Sequence, residues 1–178
     1  MDLANACLAD DNLMQTSFNQ AHLSGVDFTW ASSAQDDSWN CFCNEPQPYQ
    51  YDIYSQAASF IEADLTKAQL NYAHLPYGKF ARAILRQAKI TEAHLEDCEM
   101  NSTDCRDTDF SRSNLSYVRF ELAKLCRACL VESTCERTTF WTADLTEANL
   151  SRANLSFTWF ELAILHRANL AGSTCRKA

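Results

Sequence analysis

Residues 143–157 read ADLTE ANLSR ANLSF, three five-residue units in succession, each with Ala first and Leu third. The same rhythm extends outward from Phe60 to Cys175, where every fifth residue is a core type: thirteen Leu, six Phe, three Cys, one Ile and one Met fill the 24 places. Two residues before each stands a small one, Ala in fourteen cases and Thr, Ser, Gly, Cys or Val118 in the other ten. A period of five is neither the 3.6 of a helix nor the 2 of a strand. It requires a chain that turns a corner once per unit and points two side chains inward on each short side. Such a chain is a solenoid, built to present surface rather than to enclose a pocket.

A coil of twenty residues follows from the same positions. Steps of twenty give Phe60, Phe80, Met100, Phe120, Phe140 and Phe160, a nearly all-aromatic ladder, whereas the other three ladders are mainly Leu. Residues 111–137 match residues 151–177 at sixteen of 27 positions, an offset of forty, or two coils. Residues 1–28 carry the rhythm in another phase, at Leu3, Leu8, Leu13, Phe18, Leu23 and Phe28. The 32 residues from Phe28 to Phe60 are not a multiple of five, so 29–57 are expected to form an insertion between coils. Its Trp30, Trp39, Tyr49, Tyr51, Pro46 and Pro48 suit an ordered loop packed by its own aromatics.

Ala63 to Lys67 (ADLTK), Ala143 to Glu147 (ADLTE) and Ala153 to Phe157 (ANLSF) resemble the pentapeptide-repeat family, whose pattern is A(D/N)LXX. The resemblance covers residues 1–28 and about 58–177. It implies an all-β fold, a right-handed quadrilateral β-helix with four pentapeptides per coil. The expectation is a single domain of about seven coils: N-terminal repeats 1–28, inserted loop 29–57 and main stack 58–177. Some members of the family mimic the shape and charge of duplex DNA and protect or inhibit type II topoisomerases. Others are bacterial effectors or targeting modules. No helical pattern follows the repeats, so the C-terminal helix through which the gyrase-directed members dimerise is not expected.

Charge is uneven. Residues 1–66 hold ten acidic residues and no Lys or Arg; residues 67–178 hold thirteen acidic and fifteen basic, so the net −8 divides into −10 and +2. The acidic end repels phosphate and argues against direct nucleic-acid binding there. It supplies the candidate mimicry surface Asp10, Asp11, Asp36 and Asp37. No apolar run approaches eighteen residues and no charged-then-apolar leader stands at the front, so neither a membrane span nor a signal peptide is expected. Nine cysteines, an odd number, fit a reducing compartment and a cytoplasmic protein, with a secreted effector as the other reading. Cys98, Cys105, Cys135 and Cys175 fall on inward positions; Cys126 and Cys129 flank a corner without a second pair, and Cys41 and Cys43 have no companion His. No metal or cofactor is expected.

His74 and His94 should stack on adjacent coils, in a ladder continuing through Asn114, Thr134 and Asn154. No Ser, Cys or carboxylate is placed to use a histidine as base, and flat sides offer no closed cleft, so the chain is read as a non-enzyme. Trp141, Trp159, Leu122 and Leu162 should point outward on the Phe-ladder side within adjacent coils. Grouped Trp and Leu suggest an interface, or packing against the folded-back insertion. With Trp39, Tyr49 and Tyr51 of the insertion they form the candidate protein-binding set. The leading expectation is a non-catalytic protein-interaction scaffold. The alternatives are DNA mimicry toward gyrase or topoisomerase IV, and a spacer within a larger effector. The last core positions, Leu170 and Cys175, lie beside the end of the sequence with no cap, which leads to an expectation of end-to-end stacking of copies or of a longer parent chain.

Overall fold

The computed structural model describes residues 1–9, 11–33 and 57–178. Among them no helix occurs, and from Ser59 onward each short side pairs in parallel with the side twenty residues on, as in Asp64 with Ile84 and Ile84 with Asp104. The fold is a right-handed β-helix of square section. Its core residues define four faces. Face 1 carries Phe18, Phe60, Phe80, Met100, Phe120, Phe140 and Phe160; face 2 runs from Leu3 and Leu23 through Leu65 to Leu165. Face 3 runs from Leu8 and Phe28 through Leu70 to Leu170, and face 4 from Leu13 and Ser33 through Leu75 to Cys175.

One unit explains the rest. Leu65 N–H donates to Ile84 O at 2.7 Å and Ile84 N–H to Ala63 O at 2.9 Å, so each side is tied to the next coil by two bonds. The corner is closed by Ala68 N–H on Leu65 O at 3.0 Å, and its second residue, Lys67, reaches Arg86 O at 2.8 Å. That second corner residue lies in the left-handed region throughout, with φ between 55° and 62° at non-glycine positions as varied as Trp30, Leu122 and Arg152. An L-residue there costs roughly 1–2 kcal/mol, which the inter-coil hydrogen bond and the stacked core offset. The Asp/Asn of the repeat caps the corner: Asp64 Oδ1 accepts Thr66 N–H at 3.0 Å, and Asp27, Asp109 and Asn154 do the same for the residue two places on.

The core is filled by the fifth-position side chains and the small residues beside them, which are fully buried from Ala58 to Leu155. Phe18, Phe60 and Phe80 stack at 5.3 and 4.8 Å between ring centres, and Phe120, Phe140 and Phe160 at 5.4 and 5.2 Å. Where Thr or Ser replaces Ala, the hydroxyl donates to a buried carbonyl, as Thr103 does to Met100 O at 2.7 Å and Thr138 to Leu115 O at 2.7 Å. Gly78 makes room for its neighbours. A Cβ there would meet the Phe80 ring at 2.7 Å and Cys98 Sγ at 3.3 Å.

The expected insertion boundary is corrected at its start. Residues 29–33 belong to the stack: Ser32 pairs with His74, Ala31 and Ser33 are buried, and Trp30 stacks on Tyr72 at 4.4 Å. The break comes after Ser33, and Ser17 pairs directly with Ser59 across it. Face 4 thus ends this coil at Ser33, and the described chain takes up face 1 again at Ala58. The N-terminal coils lock onto the main stack with an offset of 42 rather than 20. The buried Ser33 hydroxyl has no hydrogen-bond partner among the described residues, a cost that the stacked coils around it offset. Completing this side gives face 4 an eighth level, the number that faces 2 and 3 already have. Cys175 occupies its expected core position yet is exposed, since it lies on the last coil with Leu165.

Candidate interaction face

Four side chains expected outward on face 1 are exposed there together: Leu122 at 60%, Trp141 at 45%, Trp159 at 63% and Leu162 at 71%. The repeat itself puts them there. Trp159 takes the position before the core Phe160, Trp141 the first corner place after Phe140, and Leu122 and Leu162 the left-handed second corner place. Between them Thr139 is short, and the face dips. A groove of about 380 Å³ runs from the corner bearing Asp97, Tyr117 and Arg137 past Arg119 and Thr139 to Trp159. It meets a second depression of about 320 Å³, lined by Glu121, Thr139, Trp141, Trp159 and Glu161.

The two edges of this groove differ in chemistry. On the corner between faces 4 and 1 the Arg137 guanidinium lies 5.7 Å from the Tyr117 ring centre and 5.3 Å from that of Phe157, which Lys177 also covers at 5.4 Å. Aromatic and cation alternate from coil to coil. On the face itself Arg119 is held by Glu99 at 2.7 Å. Burial beside it pushes the Asp97 carboxyl above its ordinary range, against the pull of Arg119. The opposite edge carries Glu121, Trp141 and Glu161 in one column. Sequence reasoning did not single out these glutamates, Tyr117 or Arg137. Steps of twenty along outward positions (121, 141, 161 and 117, 137, 157, 177) were the signal that places them.

Other outward columns are self-satisfied. Glu92, Arg112, Glu132 and Arg152 alternate on successive coils with N–O distances of 3.3, 3.4 and 3.0 Å. On face 2, Asp104 is clamped by Arg106 and by Arg86, 2.7 Å away. Burial works against its charge, but hydrogen bonds and charge from these two arginines outweigh it and hold the carboxyl far below the usual range. His74 and His94 lie on adjacent coils as expected, but meet edge to face with ring centres 5.2 Å apart rather than stacking, and His94 approaches Glu96 at 3.4 Å.

Cys126 donates to Asp144 at 3.1 Å and Cys129 faces Ser111 Oγ at 3.1 Å, so the two sit in separate contacts rather than forming a pair. Cys98, Cys105 and Cys135 are buried core thiols; burial pushes Cys105 and Cys135 up to about 12. Among the described residues no cluster of His, Cys, Asp or Glu is arranged to hold a metal ion. Of the acidic candidates Asp11 is exposed on the first coil, while Asp10, Asp36 and Asp37 lie outside the described residues, as do Trp39, Tyr49 and Tyr51.

The family model for pentapeptide repeats matches in eight copies, over residues 63–101, 79–116, 88–127, 103–134 and 128–167. No curated protein matches the chain. Similar solved structures include a pentapeptide repeat protein from the thylakoid lumen of Arabidopsis thaliana, 24% identical with a TM-score of 0.50, over 51% of this chain and 63% of that one. HetL, a pentapeptide repeat protein involved in heterocyst differentiation regulation from the cyanobacterium Nostoc, is 24% identical with a TM-score of 0.34, over 97% and 79% of the two chains. QnrB1, a plasmid-mediated fluoroquinolone resistance protein, is 16% identical with a TM-score of 0.35, over 98% and 88%. The match spans less than two thirds of the Arabidopsis protein, and at these identities the likeness is one of fold.

Proposed function

This chain belongs to the pentapeptide-repeat family, and from that premise we propose that it is a non-catalytic scaffold that binds a protein partner through face 1. The observation that carries this reading is the exposed cluster of Leu122, Trp141, Trp159 and Leu162 around a shallow groove. Trp is among the residue types that dominate binding energy at interfaces, and the exposed Leu beside it extend the apolar patch. An open face two coils high suits contact with another protein better than enclosure of a small substrate. The free thiols among the described cysteines support a reducing, cytoplasmic setting.

The test is capture of partners from cell extract by the full chain and by Trp141→Ala/Trp159→Ala. Both substitutions are on exposed positions, so the variant keeps its fold. Partners held by the parent and lost by the variant support the face. An identical partner set for both proteins overturns it.

The concentration of acid in the first third favours a second reading, mimicry of duplex DNA toward gyrase or topoisomerase IV. Relief of quinolone inhibition, or inhibition of supercoiling, at micromolar protein and weakening with salt is its signature. No effect on either enzyme removes it.

A further inference from the structure

We propose that the column Glu121, Trp141 and Glu161 is a recognition site for an arginine side chain presented by a basic–aliphatic segment of a partner protein. This deepens, and rests on, the reading of face 1 as the protein-binding face.

The argument begins with charge pairing. Several corner carboxylates meet a cation one coil away: Glu62 with Arg82, Asp107 with Arg127, Glu132 with Arg112 and Arg152. The side chains of Glu121 and Glu161 have no such partner among the described residues, although each stands one coil from an exposed indole. The coil spacing of about 4.8 Å sets the two carboxylates roughly 10 Å apart, with Trp141 midway. A guanidinium laid on that indole has a carboxylate within reach on either side, and the planar fork of arginine matches both contacts.

The neighbouring corner shows that this stack holds a guanidinium against aromatic faces, since Arg137 lies between Tyr117 and Phe157. At Glu121, Trp141 and Glu161 the aromatic and the acids are present and the cation is missing, so the partner must bring it. The identical Phe-Glu-Leu-Ala runs at 120–123 and 160–163 set Leu122 and Leu162 beside the two glutamates. These exposed leucines call for aliphatic neighbours of that arginine. Nucleic acid does not fit, because the carboxylates repel phosphate.

The experiment is fluorescence anisotropy with the full chain and three labelled probe peptides, alternating Arg–Leu, citrulline–Leu and Glu–Leu. The Arg–Leu peptide is expected to bind and the other two to bind at least about tenfold more weakly. Glu121→Gln/Glu161→Gln and Trp141→Ala, checked for fold by circular dichroism, are each expected to weaken Arg–Leu binding by about tenfold or more. Asp2→Asn/Asp11→Asn, which removes the same charge from the first coil, should leave it unchanged. Equal loss in that control reduces the effect to bulk charge and overturns the proposal, as does failure of Arg–Leu to bind. If citrulline–Leu binds as well as Arg–Leu and still depends on Trp141, the cation site falls while face 1 stands. Partner capture by Trp141→Ala/Trp159→Ala decides the face independently.

Discussion

Leu150 and Ser151 are neighbours in sequence, yet the fold sends one to the centre of the stack and the other to a corner. Leu150 is fully buried between Leu130 and Leu170, and its amide donates to Asn169 O at 2.8 Å. Leu150→Asp removes an isobutyl group, a loss of about 2–5 kcal/mol in a packed core. The new carboxyl cannot stay charged there, and raising its pKa from about 3.9 past 7 at neutral pH adds about 4 kcal/mol. The sum, about 6 kcal/mol or more, rivals the whole stability of a typical domain. Ser151→Asp faces solvent and should cost about 0.5 kcal/mol or less. Because coils contact only their neighbours, the damage should be local. Hydrogen exchange read by mass spectrometry should show lost protection around residues 130–170 in Leu150→Asp, with coils near Leu65 and Leu85 still protected. The register is refuted if both variants melt alike, or if Ser151→Asp is the more damaging.

Asp104→Asn should lower the melting temperature at pH 7. Asp104 is held below its unfolded pKa, so its contribution is full above about pH 4 and disappears as pH falls through the depressed value. The gap between parent and variant should therefore close on acidification, and a gap that is constant with pH contradicts the arginine clamp. Gly78→Ala should destabilise by about 1–3 kcal/mol through overpacking against Phe80 and Cys98, and a neutral result in urea unfolding would show that the ring is free to move. Cys7 and Cys175 should react quickly with a thiol reagent, whereas Cys98, Cys105 and Cys135 should react only on unfolding; fast labelling of Cys105 would contradict its burial.

The core and the twenty-residue coil were legible in the sequence because inward positions accept few residue types. A solvated carboxylate at 145 or 150 would break the stack, so Leu recurs there and the period shows. The outward columns were legible in principle by the same step of twenty, and the His74–His94 neighbourhood was read that way. The Glu121, Trp141 and Glu161 column was not, because outward positions tolerate almost any residue and nothing in composition separates a paired glutamate from an unpaired one. That distinction needed the ion pairs of the neighbouring columns to be seen.

The sequence by itself determined the square coil, the identity of its core and the exposure of the two tryptophans and two leucines, since a five-residue period leaves each side chain only one direction. Only the tertiary structure decided where the N-terminal coils join the main stack. Residues 34–57 carry no period, so no count along the chain could show that Phe18 lies on Phe60 and Ser32 beside His74. That join is set by stacking across a gap of 42 residues, where matched rings and backbone hydrogen bonds outweigh the burial of one serine at position 33.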